Sequence, residues 1–489
     1  MPSFKEDEVV LIRKRPASEP DEYEYEVFSL VESEGEGEGE GDINPLFTLA
    51  REHVSVADLQ SWPGHRGLVV EQAPEYLRPG DGTDGARAVH VLVSTGSGTG
   101  RAVVFYDTVL APLLRDALGL EAVSREDAKG RRNGLKGGYN LVITTDAQSI
   151  RRFAAQDLAV DDTVIVLGGD GGVVEILNGR PAPSDDSDKQ NGLEEKQSVE
   201  HASAPLLALL PLGTGNALFH SLHKPLRAGA SDGAGPSGLV QSLRTLFCAG
   251  AAAPLPSFVA RFSPGSRLIT YGDKEKVKDD VRNEEEHSDA VSSLRGAIVA
   301  SYGFHSQLVW ESDTPAYRKH GAKRFGMVAR ELLGESHVYD AVVEVDDNGN
   351  DAQEPARGRR VIPREQHAYY VLATLVSNLE RTFAISPASR PLDGVLRLVH
   401  FGDEAGGGGG EGIMSVMGAA YDGGRHVQML GVGYGEVARV TVTINEEDPR
   451  WRKVCIDGTI VEIPIHGSMS VAVDGKTRLR VLVDRSPVP

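Results

Sequence analysis

Asp170 stands alone among four glycines, in the run Gly168-Gly169-Asp170-Gly171-Gly172, directly after the apolar stretch Val164-Ile165-Val166-Leu167. Beside a nucleotide, a carboxylate so placed can accept the proton of an attacking hydroxyl, hold magnesium through water, or do both. The glycines let the backbone approach a phosphate chain closely and turn its N–H groups inward. A short helix is expected just beyond, stopped by Gly179, and its N-terminus adds partial positive charge for an anion. Taken alone, Gly-Asp-Gly is equally an ordinary turn between strand and helix.

It does not stand alone. Ser94-Thr95-Gly96-Ser97-Gly98-Thr99-Gly100 follows one apolar run, and Pro211-Leu212-Gly213-Thr214-Gly215-Asn216-Ala217 follows another. The hydroxyls of Thr95, Ser97 and Thr214 can donate to phosphate oxygens, and Asn216 can hold a ribose, a phosphate or a neighbouring loop. Three such loops at one end of one sheet point to a polyphosphate ligand. No Gly-x-x-x-x-Gly-Lys-Ser/Thr loop occurs, and the first strand lacks the Gly-x-Gly-x-x-Gly context of a dinucleotide site. Phosphate binding therefore falls to backbone amides and to basic residues supplied elsewhere. Arg318, Lys319, Lys323, Arg324 and Arg330 form a basic run that reads either as phosphate ligands or as a solvated helix face.

The loops need strands to hang from. His90 to Val93, Asn140 to Thr144, Thr163 to Leu167 and Leu206 to Leu210 are short apolar runs, the third of them the continuous β-branched kind buried on both faces of a sheet. Between them, Val103, Tyr106, Leu110, Leu113, Leu114 and Ala117 recur at helical spacing, with Pro112 predicting a kink. Asp146 is the expected N-cap of a helix running to Gln156. This alternation implies a mostly parallel sheet with right-handed crossovers. After about Gly250, strand-like runs from Phe258 to Val483 dominate, among them Leu294 to Tyr302 and Arg478 to Val483. Asn348-Gly349, Asp393-Gly394, Asp457-Gly458 and Asp474-Gly475 supply turn chemistry between them, and one helix, Ala322 to Leu333, interrupts. The fold class expected is α/β plus β, with a variable, partly stranded region at 1–85, a mostly parallel α/β nucleotide domain at 86–250, and a β-sandwich or barrel at 251–485. Pro181 to Ser203, Asp273 to Ser293 and Gly402 to Gly412 read as low-complexity loops.

Composition narrows the partners. The 489-residue chain is too long for one core, and its net charge of −20 argues against a general nucleic-acid binder. Much of that charge lies at Glu34 to Asp42 and Asp185 to Glu200, tracts expected to be disordered; Ser184, Ser187 and Ser198 are exposed phosphorylation candidates there, with a plain spacer the simpler account. Cys248 and Cys455 are the only cysteines, too few for a disulfide framework or a thiolate zinc site, which fits a reducing intracellular setting. The N-terminus lacks the apolar core of a signal peptide, and no stretch approaches the roughly 18 apolar residues of a membrane span. Membrane contact is expected to be peripheral.

In this combination the sequence resembles the catalytic domain of the diacylglycerol kinase and sphingosine kinase family. The resemblance rests on Gly168 to Gly171 with Glu175 and Asn178-Gly179, and on Pro211-x-Gly-Thr-Gly-Asn-Ala217. Ser301-Tyr302-Gly303-Phe304 with Glu311-Ser312, and Tyr317-Arg318-Lys319-His320-Gly321 through Arg324-Phe325, look specifically like sphingosine and ceramide kinases. Ser386-Pro387, Leu392-Asp393-Gly394 and Ile456-Asp457-Gly458 extend it, so that it spans about Val89 to Val461. It implies a lipid kinase using ATP and Mg2+, with an α/β domain of the type shared with NAD kinases. Asp170 would be the general base toward the lipid hydroxyl. Gly168, Gly169, Gly171, Gly213, Thr214, Gly215 and Asn216 would bind ATP, joined by Ser94, Thr95, Gly96, Ser97, Thr144, Glu175 and Asp457. Arg318 and Arg324 would reach the phosphates, where guanidinium forks suit the oxygens.

Three departures from the family pattern stand out, and the third bears on the substrate. Ser94-Thr95 stands where related kinases carry Asn-Pro, and Asp457-Gly458-Thr459 where they carry Asp-Gly-Glu. Sphingosine kinases place an aspartate just before the Glu-Ser pair, for the lipid ammonium; here His305-Ser306-Gln307-Leu308-Val309-Trp310 has no acid. A sphingoid base ranks first on overall resemblance, followed by ceramide or diacylglycerol. A catalytically weak nucleotide-binding scaffold and an NAD kinase are the other readings. The expected setting is the cytoplasm, peripherally on intracellular membranes. His305 and His320 read as ordinary hydrogen-bonding side chains, Cys455 as a core thiol, and Ser386, Ser389 and Asp393 as a structural turn.

Overall fold

The structure, a computed structural model, describes residues 4–14, 24–33, 46–79, 87–98, 100–123, 138–179, 204–223, 235–270, 289–321, 323–346 and 359–484. The acidic tracts at 34–42 and 185–200, Ser184, Ser187 and Ser198, the insert at 181–203, most of that at 273–293, Thr99 and the Asn348-Gly349 turn lie outside the described residues. The chain divides into two compact units. The first is Met1–Gly213, His223–Pro254 and Arg478–Pro489; the second is Thr214–Leu222 and Leu255–Thr477.

In the first unit, β1 (Val9–Lys14), β2 (Tyr25–Glu32), β3 (Phe47–Val54) and β4 (Val69–Val70) form a sheet in the order β3-β2-β1-β4. The region at 1–85, expected to be partly stranded, shares a core with the strands that follow it. Val10, Leu11, Phe28, Leu30 and Phe47 pack into the same core as Val89, Val91, Val93, Phe105 and Leu113, each burial contributing roughly 2 kcal/mol. On its other face β1 buries Val9 and Ile12 against Leu59, Trp62 and Leu68.

The second sheet of this unit holds β5 (Val89–Val93), β6 (Glu121–Val123), β7 (Gly138–Ile143), β8 (Thr163–Gly168), β9 (Leu206–Pro211), β10 (Gly250–Pro254) and the strand Arg480–Asp484. Its order is β10, Arg480–Asp484, β9, β8, β5, β7, β6. Every neighbouring pair is parallel except β10 with Arg480–Asp484. All six residues of β8 are buried, as its unbroken apolar sequence requires for a central strand. The last strand was expected in the second domain. It instead pairs with β9 at Leu206 and Leu207, which its sequence, no different from other Val-rich runs, does not announce.

Local details also correct the expectations. Pro112 lies in the first turn of helix Ala111–Leu118, and the turn before it, Tyr106–Leu110, is widened because Pro112 has no N–H to give. Asp146 does not cap a helix at its own position. Helix Ser149–Gln156 starts later, and Asp146 accepts Gln148 N at 2.8 Å and holds Arg152 at 2.7 Å. That guanidinium, with the Gln148 amide, holds the Asp146 carboxyl down at about 2. Helix Asp170–Gly179 ends at the expected residue, and Gly179 is where it touches helix Ser149–Gln156, since a Cβ there would lie 2.8 Å from Ala154 Cβ and from Arg151 O.

The second unit contains two sheets in which every pair is antiparallel, one of six strands and one of seven. The run expected as one strand from Leu294 to Tyr302 is two: Ser293–Gly296 lies in the six-stranded sheet and Val299–Gly303 in the seven-stranded one. The chain changes sheets at Ala297 and Ile298. Helices are more numerous than expected, with Phe304–Ser312 and Gly409–Tyr421 beside Lys323–Glu335. The latter two meet closely: a Cβ on Gly410 would collide with Leu333 O, and Ser336 Oγ accepts Gly410 N at 2.8 Å. That contact turns part of a glycine run read as loop into the start of a helix. Among the described residues no helix is long and apolar enough to cross a membrane.

Candidate active site

Because β7, β5, β8 and β9 run parallel, the loops that follow them leave the same edge of the sheet. Ligands of open α/β sheets bind at that edge. Backbone bonds continue past the strand ends and tie the loops side by side. Thr144 N donates to Val93 O and Ser94 N to Leu167 O, both at 3.0 Å; Leu212 N and Gly213 N donate to Gly168 O at 3.0 and 3.1 Å.

Side chains complete the weave. Thr95 N donates to Thr144 Oγ1 at 2.9 Å, and Thr95 Oγ1 to Thr144 O at 3.0 Å, so these two threonines latch the first loop to the strand β7. Ser97 Oγ donates to Ser94 Oγ at 2.7 Å. Gly168 is glycine for a reason of space: a Cβ there would sit 3.1 Å from Ser94 Cβ and 3.2 Å from Ser97 Oγ. Gly98, at φ +57°, would place a Cβ 2.5 Å from Leu212 O. Gly96 and Gly171 differ, with no other part of the described residues within 4 Å of where their Cβ would be. Their backbone faces open space, which suits close approach of a phosphate chain.

A substitution separates these roles. Gly98→Ala is expected to lower stability by about 2 kcal/mol or more, from left-handed strain and the collision with Leu212. Gly96→Ala should leave the denaturation midpoint unchanged. Equal midpoints for Gly98→Ala and wild type would contradict this packing.

Asp170 opens helix Asp170–Gly179 and is partly exposed, one residue beyond the glycines that end β8. A carboxylate in a helix's first turn is favoured by the dipole. One and a half turns on, Glu175 is half-buried, and burial pushes its carboxyl up to about 7; Arg151 opposes the shift and Asp146 adds to it. The folded value exceeds the ordinary 4.5, so this group's stabilisation is complete below pH 4.5 and is lost as pH rises through 7. Glu175→Gln is therefore expected to flatten the pH dependence over that window. At pH 8 it should raise stability by roughly 2 kcal/mol, read by chemical denaturation at pH 5 and pH 8.

Of the expected site residues, Ser94, Thr95, Gly96, Ser97, Thr144, Gly168, Gly169, Asp170, Gly171, Glu175 and Gly213 belong to the first unit. Thr214, Gly215, Asn216, Arg318, Arg324 and Asp457 belong to the second. The third loop thus passes between units at Gly213-Thr214. Asn216 takes φ +52° and is buried, and its carbonyl accepts His220 N at 3.0 Å at the start of helix Ala217–Leu222.

Asp457, expected among the nucleotide contacts, holds backbone amides of the second unit. It is 6% exposed, and its carboxylate accepts Ala297 N at 2.6 Å, Ile298 N at 3.1 Å and Val299 N at 2.6 Å, the amides where the chain changes sheets. Asp457 and Gly458, at φ +47° and +89°, also make the two-residue hairpin turn that their sequence predicts. Arg318 and Arg324 converge on one carboxylate, Asp313, which sequence reasoning missed because spacings of five and eleven residues mark no common helix face.

The remaining candidates are structural. Ser301 Oγ lies 2.7 Å from His305 Nδ1, and Cys455 is buried, its thiol pushed up to about 12 by burial. Asp393 and Ser389 clasp the Arg397 guanidinium. Among the described residues no group of three or more acidic, histidine or cysteine side chains is arranged to hold a metal ion.

Comparison with known proteins reaches the segment that carries the loops. Residues 88–232 match the diacylglycerol kinase catalytic domain. That lipid-kinase domain takes in all three loops, Asp170 and Glu175; Arg318, Arg324 and Asp457 lie beyond it. Among solved structures, a "putative diacylglycerol kinase" from Bacillus anthracis str. Sterne aligns at TM-score 0.46 and 14% identity, over 82% of this chain and 97% of that one. A diacylglycerol kinase structure from the same source aligns at TM-score 0.43 and 14% identity, over 82% and 99%. No curated protein matches the chain in sequence.

Proposed function

We propose that the chain transfers the γ-phosphate of ATP to the primary hydroxyl of a sphingoid base or related lipid. The observation that carries this reading is the interlocked set of loops after β5, β7, β8 and β9, with Asp170 at the first turn beyond β8. Asp170 takes the proton of the attacking hydroxyl. Backbone amides at Gly96, Gly168, Gly169, Gly171, Gly213 and Gly215 orient the phosphates, with Thr214 and Asn216 contributing side chains. Arg318 and Arg324 supply guanidinium contacts to phosphate oxygens, stabilising charge as transfer proceeds. Asp170, directly or through water, would help hold a Mg2+ ion that would offset the charge of the triphosphate. The enzyme meets its lipid by peripheral contact with the membrane surface.

One observation favours a neutral acceptor, ceramide or diacylglycerol, as the second reading. In helix Phe304–Ser312 the sole acid is Glu311, and its Oε1 already accepts Gln307 Nε2 at 2.6 Å and Arg450 Nε at 2.9 Å. An ammonium group arriving there has to displace those donors or go unpaired, which is costly in an apolar setting. ATP consumption with sphingosine, ceramide, diacylglycerol and NAD separates the readings. Turnover of sphingosine alone supports the first and turnover of the neutral lipids the second. ATP binding with no turnover on any of them sinks both in favour of a scaffold.

A further inference from the structure

Asp313 lies between two guanidinium groups of the second unit. Its Oδ2 is 2.7 Å from Arg318 Nη2 and its Oδ1 is 3.1 Å from Arg318 Nε, a two-pronged pairing. The same Oδ1 is 3.4 Å from Arg324 Nη1. One oxygen shared by two arginines, with a second oxygen on one of them, is also how guanidinium pairs hold a phosphate group.

The arginines have supports besides Asp313. Tyr317 OH donates to Glu331 Oε1 at 2.6 Å, which pins helix Pro315–Arg318 to helix Lys323–Glu335. The Arg324 guanidinium lies over the Phe325 ring, 4.9 Å from its centroid. Asp313 itself is 40% exposed, as is Arg318. A pairing that wet is weak, because water and salt screen it. An anion of higher charge can take its place without opening a core.

We propose that Asp313 is an internal substitute for phosphate: it occupies the Arg318–Arg324 pair until a polyphosphate displaces it, and so sets how tightly the pair binds. This rests on the phosphate reading of the two arginines. Asp313 is then a positioning residue, keeping the two guanidiniums together and neutralised in the absence of nucleotide. Its removal increases affinity rather than destroying it, the opposite of what loss of a ligand does.

The test titrates inorganic tripolyphosphate into the full chain by calorimetry, at two salt concentrations. Asp313→Asn is expected to bind about fivefold more tightly than wild type, with a steeper loss of affinity in salt. Its KM for ATP should fall with no gain in kcat. Asp313→Glu, which keeps the competing charge, should stay near wild type. Arg318→Ala and Arg324→Ala should each weaken binding. If they do while Asp313→Asn binds no more tightly than wild type, Asp313 is no competitor and the inference fails with the phosphate reading intact. If neither arginine variant changes tripolyphosphate affinity, that reading fails and the inference goes with it.

Discussion

Asp170→Asn is expected to lower kcat for lipid phosphorylation by about 10³-fold while ATP affinity stays within about twofold of wild type. Asparagine keeps the size and hydrogen-bonding reach of the side chain, so the helix start and the glycine turn around it are retained. What it lacks is an oxygen able to take the hydroxyl proton as the acceptor attacks. The split between kcat and affinity is the informative part. A residue serving only as a turn former would affect both through misplacement of the loop, and a residue serving only to bind would raise KM instead. Steady-state rates with saturating lipid, set beside ATP binding by calorimetry, decide the matter. A variant that turns over at the wild-type rate removes Asp170 from the chemistry.

The second large effect concerns architecture. Asp457→Ala strands three buried amides, at Ala297, Ile298 and Val299, that its carboxylate now satisfies. Each buried donor left without an acceptor costs about 1–3 kcal/mol, so the loss is roughly 3 kcal/mol at least. For a unit of this size that corresponds to a fall of about 10 °C in Tm. Trp310 and Trp451 both lie in the second unit, so tryptophan fluorescence follows its unfolding, with Trp62 reporting on the first. Asp457→Asn, which keeps one oxygen, should fall between. An alanine variant that melts like wild type yet loses ATP affinity would return Asp457 to the nucleotide.

The contrast between these aspartates shows what the sequence discloses. β8 was legible because a strand buried on both faces has to be an unbroken apolar run, and β5, β7 and β9 as short, mostly apolar runs alternating with helical segments. The glycine loops were legible because each follows such a run directly, where the chain leaves the sheet. Asp457-Gly458 was legible as a turn, since its left-handed angles are a local property. Its three amide partners lie about 160 residues earlier in the chain, and no local pattern points that far. Helix Phe304–Ser312 escaped for a related reason. Phe304, Ser306 and Gln307 are buried, so no single apolar stripe marks it. Asp313 was passed over because its ion pairs exist only once the folded chain brings Arg318 and Arg324 back to it.

The strand Arg480–Asp484 bears on how the protein is made. A ribosome adding about 5–20 residues per second needs on the order of half a minute to travel from β9 to the strand that pairs with it. Through that interval one margin of the nascent parallel sheet has hydrogen-bonding groups with no neighbour, open to any other unfolded chain nearby. Synthesis is therefore the vulnerable phase of this molecule's life, and a holding chaperone, or slower translation at lower temperature, should raise its soluble yield more than any change near Asp170.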